Sequence, residues 1–310
     1  MNGFSRVNAS GKQVISRFKR LNYLPSCVLL AMNLLLAISS SAQKTNNSNE
    51  QFLESGHAAK LTPTPRTPAE FSIITYNIRW RTGAELKQIS DWLKEVHPTV
   101  IALQEVDRDK ERTAHTNNAR VLAESLGMYY AWTAPPQPMK DSTGEEETGV
   151  ELLSPYPFEA VTRLVLPYEG TGGRRRVALG ATIKIADMKM RVYSVHAETR
   201  IPVPQKIDQL RAVIEDLSRY PKAMPAIVMG DFNSWELPSI EGIQKLFSGK
   251  GFSTPFSNDG PTFKRKAIFF DIELKLDWIW LRGFSARTSE INRKLTVSDH
   301  YPLRSVAGLG

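Results

Sequence analysis

Positions 226–233 read AIVMGDFN, a short apolar run that ends abruptly in polar residues. Four consecutive apolar residues at 226–229 predict a buried β-strand. Gly230 follows the run, and Asp231 and Asn233 then flank a phenylalanine. Taken alone, an Asp-Phe-Asn segment could simply form an Asx-turn that closes the strand. Whether the segment also has a functional role therefore depends on which residues stand at the ends of the other strands.

Polar side chains of the same kind follow other apolar runs. Asn77 and Glu105 each come just after a predicted strand, and Asp299 and His300 stand side by side near the C-terminus. Polar groups at strand ends can converge on one rim of a sheet. Carboxylate and amide oxygens are the ligands that Mg²⁺ prefers, whereas five histidines and a single cysteine offer little for zinc.

Helical and extended patterns alternate through the rest of the chain. Three segments carry their apolar residues on one helical face, at 86–96, 118–126 and 207–217. Apolar runs typical of strands lie at 71–76, 99–103, 150–153, 177–186, 190–195, 226–229 and 276–281. This alternation predicts a sheet-rich α/β domain over residues 70–310.

Four motifs, taken together, carry a family resemblance. They are TYNIRW at 75–80, LQEV at 103–106, GDFN at 230–233 and SDHYPL at 298–303. Their order and spacing resemble those of the endonuclease/exonuclease/phosphatase superfamily, the metal-dependent phosphoesterases similar to deoxyribonuclease I. The resemblance implies an α/β fold, namely a four-layered sandwich of two mixed β-sheets flanked by helices.

The same resemblance implies roles for the residues of these motifs. Glu105 and Asp299 would bind Mg²⁺, with Mn²⁺ as a possible substitute. Whether the site holds one ion or two is left open. Asn77 would orient the phosphate and contribute to the metal site. Asp231 and Asn233 would hold the attacking water and the transition-state oxygens.

Further residues complete the site that the resemblance implies. His300 would accept the proton of the attacking water, although Asp231 is the other candidate for this step. Asp277, in LDWIW, would hydrogen-bond His300 and fix its tautomer. His196, in YSVHAETR, would contact the scissile phosphate and could protonate the leaving group. Arg176, the last of three consecutive arginines, would bind the phosphate through its planar fork of donors.

Three other features leave alternatives open. Glu151 stands where the family usually has a small or amide residue, and an added carboxylate there could change the substrate or the metal count. Residues 135–147 form either a solvated loop or a substrate-gating loop. The basic run at 264–266 forms either an ordinary exposed loop or a contact for an anionic polymer or lipid surface.

The N-terminus predicts export. Residues 1–42 contain five basic side chains, an apolar run at 28–38 and small residues before a cleavage site after Ala42, which is the pattern of a signal peptide. A secreted or periplasmic enzyme is expected. The alternative is a retained membrane anchor at 28–38, although a spanning helix needs about 20 apolar residues. Cys27, the only cysteine, lies inside this segment.

Residues 43–69 are rich in Pro, Ser, Thr and Asn, and they are predicted to form a disordered linker. Removal of residues 1–42 would leave 35 basic against 32 acidic side chains, so the net charge would fall from +8 to +3. So small an excess gives little support for binding to nucleic acid.

The sequence thus predicts a secreted, Mg²⁺-dependent phosphoesterase that hydrolyses a phosphodiester or a phosphomonoester by in-line attack of water. A small or lipid-linked ester is the favoured substrate, and a secreted nuclease acting on DNA or RNA is the first alternative. A catalytically silent binding domain or an envelope-tethered scaffold is the alternative of another class. No obligate protein partner is indicated, and a monomer is expected.

Overall fold

The computed structural model describes residues 52–63, 68–136, 147–257 and 259–310. Within these ranges the strands are β1 (Leu53–His57), β2 (Phe71–Asn77), β3 (Val100–Arg108), β4 (Tyr129–Thr133), β5 (Glu147–Ser154), β6 (Phe158–Val165), β7 (Val177–Ile185), β8 (Met188–His196), β9 (Ala226–Asp231), β10 (Phe263–Lys266), β11 (Asp271–Leu274), β12 (Asp277–Arg282), β13 (Phe284–Ile291) and β14 (Leu303–Leu309). The α-helices are α1 (Gly83–Val96), α2 (Asn118–Leu126), α3 (Val203–Leu217) and α4 (Leu237–Ser248). None of the helices in the described ranges has the length and apolar content that crossing a bilayer requires.

The predicted signal peptide at 1–42, with the alternative anchor at 28–38, lies outside the described residues. Most of the predicted loop at 135–147 lies outside them as well.

Two mixed sheets and one separate hairpin contain all the described strands. The larger sheet has the order β1-β4-β5-β3-β2-β14-β13, and the smaller has the order β12-β9-β8-β7-β6. Strands β10 and β11 pair only with each other. Two neighbouring pairs, β2 with β3 and β8 with β9, are parallel, and helices α1 and α3 provide their crossover connections.

The alternation of side chains along the strands builds three apolar layers. Ile227 and Met229 of β9 face the core between the two sheets, where Ile73 of the larger sheet also packs. Val228 points the other way, into a cluster shared with α3 and α4. Leu103, on the outer face of the larger sheet, packs in a cluster with α1 and α2. The predicted four-layered sandwich of helices, two sheets and helices is therefore confirmed.

The predicted helices and strands are all present, and helix α2 has the predicted bounds. Gly127 ends it in the left-handed conformation, with φ of 64°. Strand β3 is longer than expected, because it continues through Glu105 to Arg108. Glu105 itself is the extra residue of a β-bulge, with φ of 56°, rather than the residue after the strand. A bulge redirects one side chain without ending the strand.

The prediction of a disordered linker at 43–69 is wrong for the part that the structure describes. Strand β1 pairs antiparallel with β4 at the edge of the larger sheet. The carboxylate of Glu54 accepts a hydrogen bond of 2.6 Å from the hydroxyl of Tyr130, and Asn117, Arg108 and Arg120 also donate to it. A polar edge strand needs no apolar alternation, so composition alone concealed it. The folded domain therefore includes residues before Glu70.

Candidate active site

The candidate site begins with three neighbouring residues at one edge of the smaller sheet. His196 of β8 is in register with Asp231 of β9, and Asp231 is in register with Asp277 of β12. Residues that face each other on adjacent strands project to the same side of a sheet. The strand register thus sets one histidine and two carboxylates side by side, and all three are buried.

Gly230 allows β8 and β9 to approach each other next to this row. Its φ is 143°, and a Cβ atom there would lie 2.0 Å from the carbonyl oxygen of Val195. After the glycine, Oδ1 of Asp231 accepts the backbone N–H of Asn233 at 3.0 Å, and Nδ2 of Asn233 donates to the carbonyl of Ala197 at 3.0 Å. The GDFN motif is therefore an Asx-turn that also fixes two polar side chains.

Asn77, at the end of β2, and His300, in the segment before β14, reach the same point. Nδ2 of Asn77 donates to Oδ2 of Asp231 at 3.0 Å, and Oδ1 of Asn77 accepts the backbone N–H of Arg79. The hydroxyl of Ser298 donates to the carbonyl of Asn77 at 2.8 Å, which ties the SDH segment to the end of β2. Nε2 of His300 lies 3.7 Å from Oδ2 of Asp231.

His300 is held by Asp277. Its Nδ1 lies 2.9 Å from Oδ2 of Asp277, which also accepts the hydroxyl of Thr262 at 2.7 Å. The ring of Phe263 contacts the imidazole edge-on, with centroids 5.0 Å apart. Burial by itself lowers the pKa of His300, but Asp277 and Asp231 outweigh it and raise this pKa to about 10. The imidazole is therefore a cation at neutral pH.

His196 has the opposite surroundings. Its Nε2 also lies 3.7 Å from Oδ2 of Asp231, but Nη1 of Arg176 donates to its Nδ1 at 3.2 Å. Burial lowers the pKa of His196 well below its ordinary value, and the charges of Arg176 and Arg174 lower it further. His196 is therefore neutral, and an Nδ1 that accepts a hydrogen bond leaves the proton on Nε2. The Nε of Arg176 donates to Glu198 at 3.0 Å.

Asp231 lies between the two histidines. Burial raises its pKa, and the charge of His300 and the N–H donors of Asn77 and Asn233 lower it. The balance puts the pKa of Asp231 at about 7. This carboxylate can therefore exchange a proton near neutral pH.

A cavity of about 250 Å³ opens beside His196. Its wall includes Glu105, Arg176, Trp80 and Arg112, so it combines one carboxylate, an aromatic ring and several cations. Pro135 and Pro136, at the start of the 135–147 segment, and Thr148, just after it, also border the cavity.

The donor set around the site suits a metal ion. The half-buried carboxylate of Glu105 forms no side-chain hydrogen bond or ion pair with any residue that the structure describes. Asp231, Asp277 and His300 each place a ligand atom within 4.8 Å of the others, which is also compatible with a bound metal. The carboxylate of Asp299 is paired instead with Nη1 of Arg79 at 2.9 Å. Its role as a metal ligand stays a prediction.

Glu151 does not belong to the site, and the expectation that it adds a carboxylate there is wrong. It is in register with Leu103 and Trp132, which both face the helix layer on the outer side of the larger sheet. Both carboxylate oxygens are buried without a hydrogen-bond partner among the described residues. Burial raises the pKa of Glu151 well above its ordinary value.

Four further residues support the site, and no sequence motif assigns them a role. Arg79 and Ser298 stand inside quoted motifs, where their polarity next to Asn77 and Asp299 was the available signal. Thr262 stands outside the quoted segments, whereas Glu198 lies within YSVHAETR, two residues after His196. Only the fold shows that Thr262 contacts Asp277 and that Glu198 pairs with Arg176.

Solved structures share this fold at low sequence identity. An endonuclease/exonuclease/phosphatase from Beutenbergia cavernae is 20% identical, with a TM-score of 0.63, over 78% of this chain and 72% of that one. The human Nocturnin catalytic domain with bound sulfate is 16% identical, with a TM-score of 0.61, over 78% and 94%. D. rerio TDP2 complexed with single-strand DNA product is 16% identical, with a TM-score of 0.59, over 78% and 100%. These similarities concern the fold alone.

No curated protein sequence matches the chain. A sequence model of the Endonuclease/Exonuclease/phosphatase family, however, matches residues 74–300. That span runs from within β2 to His300, and it includes three of the four motifs in full and the first three residues of SDHYPL. The chain belongs to the endonuclease/exonuclease/phosphatase family.

Proposed function

We propose that this chain is a metal-dependent hydrolase of phosphate esters that acts by attack of water on phosphorus. One observation carries the proposal. Two buried histidines, one a cation and one neutral, each lie 3.7 Å from the same oxygen of Asp231. Hydrolysis needs a group that accepts the proton of water and groups that stabilise negative charge. A carboxylate that titrates near neutral pH, flanked by a cation and a neutral N–H donor, provides them.

Asp231 is the proton acceptor in this proposal. A general base must be unprotonated at the working pH, and His300, with a pKa of about 10, is not. Asp231, with a pKa of about 7, can take the proton of the attacking water. His300 then remains charged, and it stabilises the negative charge that develops on the phosphoryl oxygens.

His196 and Arg176 act on the other side of the phosphate. The neutral imidazole of His196 presents its Nε2–H toward the reacting group, and Arg176 keeps that tautomer by donating to Nδ1. The guanidinium of Arg176 lines the cavity and can bind phosphate oxygens by charge-assisted hydrogen bonds. Asn233, oriented through Ala197, holds the water or a transition-state oxygen.

The cation of the proposal is Mg²⁺, with Mn²⁺ as a substitute, because the available ligands are oxygen atoms. Glu105 would hold it, together with Asn77 and Asp299. When bound, the ion supplies positive charge that neutralises the phosphate oxygens. Asn77 and Asp299 already have partners in Asp231 and Arg79, so they would exchange or share these partners on binding.

The proposed substrate is a small or lipid-linked ester. The arginines around the cavity are mostly neutralised, because Arg174 and Arg176 pair with Glu198, Arg175 pairs with Glu169, and Arg112 is held by Asp107. A surface that follows a long polyanion gains its affinity from cations that replace counterions, and paired arginines do this poorly. Hydrolysis assays on a diester and on a monoester decide between these two ester types.

A secreted nuclease is the second candidate. The basic residues of the cavity wall favour it, as does the likeness to TDP2, which was solved with a single-strand DNA product. The proposal also includes export with removal of residues 1–42, which the N-terminal sequence supports. Mass spectrometry of the exported protein tests this, and a start at Met1 would contradict cleavage.

The first experiment measures hydrolysis of bis(p-nitrophenyl) phosphate and of p-nitrophenyl phosphate. EDTA should abolish turnover, Mg²⁺ or Mn²⁺ should restore it, and Zn²⁺ should restore it poorly. Asp231→Asn is the control for contaminating activity. Full turnover after exhaustive chelation would contradict the metal-dependent site.

The second experiment compares kcat/KM on duplex DNA, RNA, sphingomyelin and inositol phosphates at about 50 and 200 mM salt. A nuclease that makes several phosphate contacts loses roughly 10³- to 10⁵-fold in affinity across this range, so a weaker response is expected here. Fast, steeply salt-dependent DNA cleavage that is lost in Arg174→Ala and Arg175→Ala would favour the nuclease. Failure to hydrolyse every substrate would favour a silent binding domain.

A further inference from the structure

The hairpin of β10 and β11 carries an unusual apolar tip. Ile268 and Phe269 are 88% and 93% exposed, the highest values among the large apolar side chains of the described residues, and Phe270 beside them is 65% exposed. Three consecutive large apolar residues in water are unfavourable, since burial of each would release free energy. Clusters of this kind on a protein surface mark contact sites rather than ordinary exposed residues.

The tip is a defined turn. Lys266 is in register with Asp271, so residues 267–270 form the connection, and the N–H of Ala267 donates to the carbonyl of Phe270 at 2.8 Å. The hairpin belongs to neither main sheet. Its contacts with the rest of the domain lie at its base, where Phe263 bridges to His300. The turn therefore presents Ile268 and Phe269 away from the strands that carry them.

Basic side chains lie directly behind this tip. The run predicted as a loop at 264–266 is in fact strand β10, and its three basic residues are exposed. Lys264 is neutralised by Asp271 and Glu273, at 2.8 and 3.2 Å. Arg265 and Lys266 form no ion pair with any residue in the described ranges. Two exposed cations outside any ion pair, Arg265 and Lys266, therefore precede the apolar tip, with Lys266 opposite Asp271 across the hairpin.

An apolar tip backed by unpaired cations matches the chemistry of a bilayer surface. Apolar side chains enter the boundary between headgroups and acyl chains, and Lys and Arg remain at the level of the headgroups. Each basic residue near the surface adds attraction when anionic lipid is present. Nucleic acid would use the cations but would leave Ile268 without a partner.

The base of the hairpin contacts the candidate active site. Thr262 donates to Asp277, the ring of Phe263 packs against His300, and the N–H of Lys264 donates to the carbonyl of Asp299 at 2.8 Å. The tip is therefore joined to the catalytic edge through the four residues of β10, about 13 Å at 3.3 Å per residue.

We infer that the β10–β11 hairpin docks on a lipid bilayer that contains anionic lipid, with Ile268, Phe269 and Phe270 inserted and Arg265 and Lys266 at the headgroups. Docking presents the site to phosphate esters in the headgroup layer. Only this last step rests on the proposed function, since docking itself requires no catalysis.

The test is hydrogen exchange measured by mass spectrometry on the full chain, with vesicles of phosphatidylcholine alone or mixed with phosphatidylglycerol. A readout confined to residues 263–275 is unaffected by any binding through the N-terminal apolar run. Mixed vesicles should slow exchange there. The triple variant Ile268→Ser, Phe269→Ser, Phe270→Ser should need roughly tenfold more lipid or more for the same protection.

Two further variants separate the contributions. Arg265→Glu with Lys266→Glu should weaken protection by the mixed vesicles and change little with phosphatidylcholine alone. Leu309→Ser, which removes an exposed apolar side chain far along the chain, is the matched control and should behave as wild type. Hydrolysis of soluble bis(p-nitrophenyl) phosphate should be unchanged in the triple variant.

Unchanged exchange at 263–275 in the presence of vesicles would overturn the inference. Protection that rises with protein concentration in the absence of lipid would also overturn it, because a second copy would then be the partner. Protection by a single-stranded oligonucleotide would overturn it as well. Protection by vesicles in a protein that hydrolyses nothing would instead leave docking intact and contradict the proposed function.

Discussion

His300 and His196 occupy matching places on either side of Asp231, but His300 is a cation and His196 is neutral. Both are buried, and Nε2 of each lies 3.7 Å from the same carboxylate oxygen. The difference lies at Nδ1, which contacts the carboxylate of Asp277 in His300 and the guanidinium of Arg176 in His196. Burial alone would therefore leave both rings neutral, and the group in contact with Nδ1 decides which ring is a cation.

The two sides of the site therefore have different roles. The side formed by β12 and the SDH segment provides a fixed positive charge, and the side formed by β8 provides a neutral donor beside the substrate cavity.

His300→Ala should lower kcat by roughly 10²- to 10⁴-fold, because the variant loses the cation beside Asp231. His196→Ala should cost less, because it removes a neutral donor. Steady-state kinetics on bis(p-nitrophenyl) phosphate measures both, and His115→Ala, an exposed histidine, is the matched control. A His300→Ala variant within threefold of wild type would remove this residue from the mechanism.

Asp277→Asn should lower kcat by roughly 10- to 100-fold, the usual cost of removing a carboxylate that orients a histidine. Asp277 helps to raise the pKa of His300 to about 10, so the alkaline limb of the pH–rate profile should move to lower pH. An alkaline limb at the wild-type position would contradict the assigned charge of His300.

The same variant has a signature in stability. A histidine whose folded pKa is raised stabilises the fold fully below its ordinary value of 6.5, and it loses this contribution as pH rises through about 10. The difference in Tm between wild type and Asp277→Asn should therefore be larger at pH 6 than at pH 10. Thermal unfolding at both values measures it.

Arg176→Gln should raise KM by roughly tenfold, with a smaller change in kcat, because a charge-assisted contact with the phosphate is lost. The pKa of His196 should also rise toward its ordinary value, because Arg176 helps to lower it. Arg175→Gln is the matched control, since this neighbour pairs with the exposed Glu169. Equal effects of the two variants would argue against a specific role for Arg176.

Glu151→Leu should leave kcat unchanged and raise Tm at pH 8 by roughly 2–4 °C, the shift expected for about 1 kcal/mol in a domain of this size. The ionisation of a buried acid with a raised pKa costs no stability below its ordinary value of 4.5, and this cost grows as pH rises. The gain should therefore be smaller at pH 4. A loss of kcat would place Glu151 in the catalytic machinery after all.

The sequence by itself determined the local elements and the identity of the site residues. Helix α2 could be predicted with its bounds because apolar periodicity and a glycine stop are local properties. The motif residues Asn77, Asp231 and His300 could be named because their order along the chain resembles a known family. Edge strands such as β1 and β13 were missed, because an exposed polar strand carries no apolar alternation.

The tertiary structure alone decided how these residues act. Asn77 reaches Asp231 across 154 positions of sequence, and the partners that set each pKa, such as Asp277 and Arg176, come from different strands. Strand register alone turned Glu151 toward the helices, since successive residues of a strand face opposite sides of the sheet. Charge state and orientation depend on distances between residues remote in sequence, and only packing of the two sheets fixes these distances.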